Sequence, residues 1–282
     1  MSGSSSATHL FAAQHADRYA RQDLIREYEE LVGARLIVMI DQVFPYATTL
    51  VEELLTGADS SKPLHLLLST PGGDGEVAVR LVRAMKARCT ELTIIVPDMA
   101  KSAGTIMCLG ADRIIMAAGS DLGPIDPQMQ IGGSLVGARE IDQALRDAEE
   151  RVAAEPNAFP LYAGLLSDVN MLMIEQARSA TARTYDLIDE ALTCRGLNEE
   201  ARKAITEAIR GPLVDDAKNH AATVGPELAA KMGLPVELAD PASDSWHLIW
   251  SLWTRYFQLG AWPAAQNAVY EGQRASQVLT RG

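Results

Sequence analysis

The sequence predicts an α/β protein, because short apolar runs alternate with segments of helical periodicity over about its first 130 residues. Four runs are short, rich in branched residues and apolar almost throughout, as expected of strands buried on both faces of a parallel sheet. They are residues 35–40, 64–69, 92–97 and 113–116. Helical spacing covers residues 45–57, 75–88 and 103–109, so the order of elements predicts right-handed βαβ units.

Helical patterns dominate the remainder of the chain. A helix is predicted over 16–33, ending on Gly33 as its C-cap. Further helices are predicted at 138–153, 158–195 and within 198–234, with an edge strand at 235–238. We therefore expect a flexible N-terminus at 1–15, one domain at 16–240 that includes a helical arm at 138–195, and a C-terminal helix and tail at 241–282.

The C-terminal helix carries a stripe of large aromatic residues. Trp246, Trp250, Trp253 and Phe257 recur at i, i+4, i+7 and i+11, which places them on one face. Such a stripe is typical of packing against the protein body or a neighbouring protomer. The last 20 residues are polar and are predicted to form a tail.

The amino-acid composition excludes several classes of protein. With 48% hydrophobic and 22% charged residues among 282, disorder is excluded for most of the chain. Lys+Arg 25 against Asp+Glu 37 gives a net charge of −12, which argues against a sequence-independent nucleic-acid binder. The sequence has neither a signal-peptide pattern nor an apolar run of membrane-spanning length. We expect a cytoplasmic protein that does not insert into a membrane.

The pattern of metal-binding residue types predicts no metal and no cofactor. Cys89, Cys108 and Cys194 lie far apart with no CxxC pair, so neither a disulfide framework nor a thiolate zinc site is indicated. No histidine-acid cluster has ligand spacing such as HExxH. These observations favour a reducing compartment.

Two loops carry candidate chemistry, because each follows a predicted strand and precedes a predicted helix, where α/β sheets place their ligands. The first is STPGGDG at 69–75, whose glycines allow close approach of the backbone to a ligand. The second is PDMAKSAGT at 97–105, which contains Ser102. A serine there is commonly only an N-cap, whereas the pair of loops matches a nucleophile beside an oxyanion hole. The donors would be the amides of Gly72 or Gly73 and of Ala103.

The motifs between Leu66 and Gln128 resemble a known family. STPGGDGEV, AKSAGT, LGADRIIM and GPIDPQ are similar to the Clp-protease and signal-peptide-peptidase superfamily, and more narrowly to the serine dehydrogenase proteinases. A weaker resemblance covers 158–236 through PLYAGLL and ELAAKMGLPVE. The resemblance implies a crotonase-like ββα spiral, Ser102 as nucleophile, Gly72 and Ala103 as oxyanion donors, and peptide-bond hydrolysis through an acyl-enzyme.

The resemblance leaves the general base open. The Clp subunits have a histidine roughly 25 residues after the nucleophile, where this chain has Asp126 and no histidine. The signal peptide peptidases use a later lysine, but no lysine lies between Lys101 and Lys203 here. His220 is the first candidate base, with Asp126, Asp215 or Asp216 to orient it. Lys218 and Lys101 are the alternatives, whereas His65 lies in an apolar strand and is predicted to be a core residue.

Three functions remain open at this point. The first is a serine peptidase acting on peptides or unfolded proteins, which by analogy with its fold class would be a homo-oligomer, with an unfoldase as a possible partner. The second is a non-catalytic scaffold whose serine lacks a working base. The third is a crotonase-like acyl-CoA enzyme that uses the same amides to stabilise an enolate.

Overall fold

The computed structural model describes residues 8–131, 133–215 and 223–280. Its helices are α1 His9–Gln14, α2 Ala16–Val32, α3 Pro45–Leu55, α4 Gly75–Lys86, α5 Ala103–Leu109, α6 Ala138–Ala154, α7 Phe159–Leu165, α8 Met171–Cys194, α9 Glu199–Ile209, α10 Pro226–Lys231 and α11 Asp244–Gln258. Its strands are β1 Arg35–Ile40, β2 Leu64–Ser69, β3 Leu92–Val96, β4 Met99–Ala100, β5 Arg113–Met116, β6 Asp121–Leu122, β7 Gln128–Ile131, β8 Ser134–Gly137, β9 Val236–Leu238, β10 Ala268–Gly272 and β11 Ser276–Leu279.

A central sheet organises the molecule, with the strand order β11-β10-β1-β2-β3-β5-β9. Strands β1, β2, β3, β5 and β9 are parallel, and β10 pairs antiparallel with both β1 and β11. Helices α3, α4, α5 and α8 bury their apolar side chains on one face, and α2 and α11 do so on the other. The predicted α/β class is confirmed, as are its four buried strands and the edge strand.

Helix α4 shows how the sequence positions the site. The Asp74 side chain caps its N-terminus by accepting hydrogen bonds from the amides of Glu76 and Val77. Its buried face includes Val77 and Leu81, one helical turn apart. The helix therefore begins at a fixed residue, directly after the glycine-rich loop at 69–75.

The arm differs in detail from the prediction. The helix predicted at 158–195 is interrupted at 166–170, and Asn170 starts α8 by accepting a hydrogen bond from the Met173 amide. The hairpin formed by β7 and β8 was not predicted, because four-residue strands at a domain edge carry little periodicity. The C-terminal half of α8 joins the main core through Leu187, Ile188 and neighbouring residues.

Near both ends of the described chain, residues predicted to be flexible or tail-like form regular structure. Residues 9–14 form α1, N-capped by the Thr8 side chain, where a flexible segment was expected. The expected C-terminal tail is wrong for residues 268–279, which form β10 and β11 in the main sheet. Strand β10 is fully buried because β1 and β11 flank it and α2 and α11 cover one face. The strand was not predicted because the sequence around it is polar.

The aromatic stripe of α11 is divided between core and surface. Trp253 packs in the core formed with α2, whereas Trp250 and Phe257 are 47% and 54% exposed. Trp246 stacks against Trp250 with ring centroids 6.4 Å apart. The stripe therefore serves first as the packing surface of α11 against α2. No helix in the described ranges is both long and apolar enough to cross a membrane.

A buried ion pair joins α2 to β10. Arg21 of α2 donates to both carboxylate oxygens of Glu271 in β10, at 2.7 and 3.1 Å. The Tyr256 hydroxyl of α11 donates to the same carboxylate at 2.7 Å. The exposed fractions of the Arg21 and Glu271 side chains are 5% and 0%, so each charge depends on the other for compensation.

We expect Glu271→Ala to lower the free energy of unfolding by about 3 to 5 kcal/mol, because it leaves the buried Arg21 charge without its partner. Glu237→Ala is the matched control, since it removes a bidentate pair with Arg113 whose side chains are 39% and 54% exposed. Its cost should stay within about 1 kcal/mol. Urea unfolding measures the free energy of unfolding of both variants. Equal decreases in Glu271→Ala and Glu237→Ala would contradict the structural role of the buried pair.

His65 is a core residue, as the sequence predicts. Its Nδ1 lies 2.8 Å from the Tyr28 hydroxyl, and both side chains are buried. Burial, with a smaller contribution from the positive charge of Arg113, lowers the pKa of His65 from 6.5 to about 4. The folded protein therefore holds His65 neutral at a pH where the unfolded chain protonates it.

This pKa shift predicts a loss of stability in acid. Between pH 6.5 and about 4 the unfolded state binds the proton and the folded state does not, so stability is complete above this range and falls as the pH falls. When the pH is lowered from 7 to 4.5, the free energy of unfolding measured in urea should fall by about 2 to 3 kcal/mol more for the wild type than for His65→Leu/Tyr28→Phe. The double variant removes both hydrogen-bonding partners together. Identical pH slopes for the two proteins would show that His65 does not titrate in this way.

Candidate active site

The loop between β2 and α4 adopts a conformation that requires glycine. Gly72 and Gly73 have φ angles of +114° and +140°, which residues with a Cβ rarely adopt. A Cβ on Gly72 would lie 2.8 Å from the Cβ of Ser102, and one on Gly73 would lie 2.3 Å from the Val43 carbonyl oxygen. The Gly72 backbone therefore lies directly against Ser102, as the pairing of the two loops predicts, and the Gly73 backbone lies against Val43.

Ser102 occupies a strained turn at the start of α5. Its φ of 48° and ψ of −111° make it the one non-glycine residue with positive φ in the described ranges. Such a conformation costs on the order of 1 to 3 kcal/mol and is typical of functional positions. Ser102 holds the N-cap position of α5, yet its side chain makes no capping hydrogen bond. The hydroxyl is therefore not used to stabilise the helix.

Backbone hydrogen bonds hold the two loops together. The Thr70 amide donates to the Met99 carbonyl oxygen at 3.1 Å, and the Lys101 amide donates to the Thr70 carbonyl oxygen at 3.0 Å. Gly104 sits so close to Thr70 that a Cβ on it would lie 2.4 Å from the Thr70 methyl carbon. These contacts fix Ser102 relative to the glycine turn.

The amides around Ser102 differ in availability. The Gly72 amide donates to the Thr70 hydroxyl oxygen at 3.1 Å. The Gly73 and Ala103 amides make no hydrogen bond to any group in the described part of the chain. Gly73 and Ala103 therefore present the open donors in this structure, while Gly72 would have to exchange its Thr70 partner for a ligand oxygen.

Lys101 is held by an acidic neighbour. Its Nζ lies 2.6 Å from a carboxylate oxygen of Asp121, and the two side chains are 15% and 22% exposed. The pKa of nearby Asp98 is raised by burial and by the negative charge of Asp121, with Lys101 opposing the effect. The carbon stem of Lys101 packs on Gly123, where a Cβ would lie 2.3 Å from the Lys101 Cδ. The ion pair with Asp121 therefore helps to hold the loop at 97–105, which contains both Lys101 and Ser102.

An ion network holds the other end of the glycine loop. Arg183 of α8 donates to both carboxylate oxygens of Glu76, in the first turn of α4, at 2.6 and 2.8 Å. Arg183 also bonds Glu190, which binds Arg83 of α4 at 2.7 Å. The network joins the arm helix α8 to the helix that follows Gly72–Gly73. Sequence reasoning missed it, since 107 residues separate Arg183 from Glu76 and no local pattern links them.

The profile of a family described as "ClpP-like SDH-type serine proteinase" matches residues 10–243. The chain belongs to this family. The resemblance found from the motifs around Ser102 is thereby confirmed, and the predicted ClpP-like α/β fold with it.

Among curated proteins, the SDH-type chain is similar to two uncharacterised proteins of Methanocaldococcus jannaschii. One is 28% identical over 236 residues, which is 79% of this chain and 75% of the relative. The other is 24% identical over 206 residues, or 68% of this chain and 64% of the relative. The chain thus spans just under two thirds of the second relative.

Among solved structures, the chain is similar to two variants of the 1510-N membrane-bound stomatin-specific protease. A serine-to-alanine variant has a TM-score of 0.44 at 19% identity, covering 73% of this chain and 78% of the other. A lysine-to-alanine variant in complex with a substrate peptide has a TM-score of 0.45 at 20% identity, covering 73% and 74%.

Two of the residues predicted to assist the serine of this SDH-type proteinase, Asp126 and Asp215, have hydrogen-bond partners among the described residues. The Asp126 carboxylate accepts a hydrogen bond from Gln128 at 2.7 Å, at the base of the β7–β8 hairpin. Both oxygens of Asp215 are engaged, one by the Tyr185 hydroxyl and one by Arg210, each at 2.6 Å. Tyr185 and Arg210 therefore hold the Asp215 carboxylate in place.

The candidate base lies beyond the described residues. His220 and Lys218, with the orienting candidate Asp216, fall in 216–222, outside the described ranges. The Ser102 hydroxyl makes no hydrogen bond to a residue within 8–131, 133–215 or 223–280. The assignment of the base therefore stays a prediction.

We expect Gly72→Ala to abolish reaction of the protein with a fluorophosphonate probe, because the new Cβ would displace Ser102. The loss should exceed about 100-fold, the usual effect of disturbing an oxyanion site. Gly33→Ala is the control, since Gly33 also has positive φ, at 74°, but a Cβ added there would meet no atom within 4 Å. It should cost stability and leave labelling intact. Labelling of Gly72→Ala at the wild-type rate would contradict this geometry.

Proposed function

We propose that the protein is a peptidase in which Ser102 attacks the carbonyl carbon of a peptide bond. The observation that carries the proposal is the strained backbone of Ser102, whose hydroxyl is free of any capping role and lies against the Gly72–Gly73 turn. Membership of a serine proteinase family supports the same reaction class.

The first step forms a tetrahedral intermediate. The Ser102 Oγ bonds to the carbonyl carbon as its proton passes to the general base, and the carbonyl oxygen becomes an oxyanion. The amides of Gly73 and Ala103 donate to that oxyanion, with Gly72 as a further donor if its bond to Thr70 is released. The positive end of the α5 dipole also stabilises this charge.

The second step breaks the peptide bond. The base returns the proton to the leaving amine, and the acyl group stays on Ser102 as an ester. Water then attacks the ester with the same base and the same amides, which releases the second peptide and restores the serine. No step needs a metal or an organic cofactor.

We assign the general base to His220, with Lys218 as the alternative. Lys101 is the weaker candidate because its amine is held at 2.6 Å by Asp121, in a pair that packs beside the serine loop. Asp126, Asp215 or Asp216 would orient His220. Lys101 instead supports the loop that carries the nucleophile.

The site favours an extended substrate. Ser102 is half-buried between two loops, and a peptide bond inside a folded domain would not reach it. We therefore propose short peptides or unfolded segments as substrates, acted on in the cytoplasm, with an unfoldase as the partner that would supply unfolded chains. These finer assignments rest on the position of Ser102 and on resemblance.

Two other functions make different predictions. A scaffold would keep the Gly72–Gly73 turn without a reactive serine. An acyl-CoA enzyme would need a carboxylate near the bound thioester, but Asp126 bonds Gln128 and Asp121 bonds Lys101. The peptidase is favoured because Ser102, rather than a carboxylate, faces the turn.

Intact-mass spectrometry after incubation with a fluorophosphonate probe tests the proposal. We expect one adduct on the wild type, none on Ser102→Ala, and labelling slowed by about 100- to 10,000-fold in the variant that lacks the base. His220→Ala is expected to be that variant, with Lys218→Ala and Lys101→Ala as comparisons of the other candidates. If labelling were lost in Lys218→Ala but kept in His220→Ala and Lys101→Ala, the general base would be Lys218.

Peptide cleavage must follow the same pattern as labelling. Wild-type hydrolysis of an unfolded protein such as reduced casein should disappear in Ser102→Ala. No adduct and no cleavage at any protein concentration would favour the scaffold, and binding of an acyl-CoA thioester without labelling would favour the third function.

A further inference from the structure

One amide of the glycine loop is left open by the hydrogen bonds around it. The Gly72 amide donates to the Thr70 hydroxyl oxygen at 3.1 Å. The Asp74 amide donates to the Val43 carbonyl oxygen at 2.8 Å. The Gly73 amide between them has no acceptor among the residues that the structure describes. Because backbone donors in folded proteins are nearly always bonded, an open one at this position is available to a ligand.

The Thr70 hydroxyl is the side-chain part of this arrangement. Its oxygen accepts from the Gly72 amide and lies 3.4 Å from the Gly72 carbonyl oxygen, to which it donates. A hydroxyl that bonds the backbone two residues on fixes the local turn. The Val43 amide donates to the same Gly72 carbonyl oxygen at 2.8 Å. The amide and the carbonyl of Gly72 are thus both held, which sets the direction of the next amide, that of Gly73.

The Thr70 side chain is itself fixed by packing. It is fully buried, and its methyl carbon lies over Gly104, where an added Cβ would come within 2.4 Å of it. In a β-branched side chain, one χ1 angle sets the positions of both the methyl group and the hydroxyl. Contact of the methyl group with Gly104 in α5 therefore keeps the hydroxyl directed at Gly72. Thr70 thereby relates the glycine loop to the helix that begins after Ser102.

We propose that Thr70 is a positioning residue for the reaction at Ser102, and that its hydroxyl determines which backbone amide receives the oxyanion. With the Gly72 amide occupied, Gly73 is the donor that this loop supplies, beside Ala103. Thr70 acts through the turn and does not itself contact the reacting atoms. The inference rests on the proposed peptidase reaction, and it makes the oxyanion site depend on a side chain that the sequence analysis did not single out.

Two substitutions separate the hydroxyl of Thr70 from its shape. Thr70→Val keeps the volume and the branched Cβ but removes the hydroxyl, so the Gly72 amide loses its acceptor. Thr70→Ser keeps the hydroxyl and removes the methyl group that packs on Gly104. Thr93→Val is the matched control, because Thr93 is also fully buried but its hydroxyl oxygen bonds no group in the described part of the chain. Circular dichroism confirms that each variant is folded.

The labelling rate of Ser102 is measured against the concentration of a fluorophosphonate probe. We expect Thr70→Val to lower the maximal rate by about 10- to 100-fold, because a misdirected amide stabilises the developing oxyanion less well. The half-saturating probe concentration should change by less than about 2-fold, since that amide acts in the transition state. Thr70→Ser should stay within about 5-fold of the wild type although it loses buried packing, and Thr93→Val should match the wild type. A merely structural role would instead order the variants by their stability.

Amide hydrogen exchange, followed by nuclear magnetic resonance, tests the bond between Thr70 and Gly72 independently of activity. The Gly72 amide should exchange slowly in the wild type and in Thr70→Ser, and at least about 10-fold faster in Thr70→Val. Labelling of Thr70→Val at the wild-type rate, or equal Gly72 exchange in the three proteins, would overturn the inference. A wild type that takes no adduct would remove the peptidase proposal instead, and equal Gly72 exchange would then still overturn the role of Thr70 in holding the loop.

Discussion

The hydrogen bonds between Thr70 and the segment 99–101 are the constraint on which the site depends. They join the ends of β2 and β4, so that the glycine loop and the serine loop form one rigid unit. Without them, Ser102 would relax from its left-handed backbone conformation, which nothing local favours. The tight approach of Gly104 to Thr70 adds a steric reason for the same arrangement. The strained serine is thus maintained by tertiary contacts.

Much of the fold was predictable, because buried parallel strands and amphipathic helices leave strong local patterns. The four apolar runs, α4, α5 and the edge strand β9 follow directly from such patterns. Strands β10 and β11 were not predictable, since β11 is half-exposed and β10 contains Glu271, whose burial depends on the distant partners Arg21 and Tyr256. The break at 166–170 depends on the single cap of Asn170. The two strands are thus decided by long-range packing, and the break by a local cap.

The candidate site was predictable in its residues but not in their interactions. Ser102 and the two glycines follow from loop chemistry, and the structure brings them together. The bond from the Gly72 amide to Thr70, the ion pair of Lys101 with Asp121 and the link from Arg183 to Glu76 involve partners that spacing alone does not indicate. They matter because they decide which donors are open and which candidate bases are already occupied.

The position of β10 has a consequence for how the chain reaches its native state. Strand β1 is made early in synthesis, but its outer edge is covered only by β10, and Arg21 meets Glu271 across 250 residues. A nascent chain that does not yet contain β10 therefore exposes an open edge of apolar strand, which is a template for aggregation. The edge of β1 is therefore protected only once β10 has been synthesised and has paired with it.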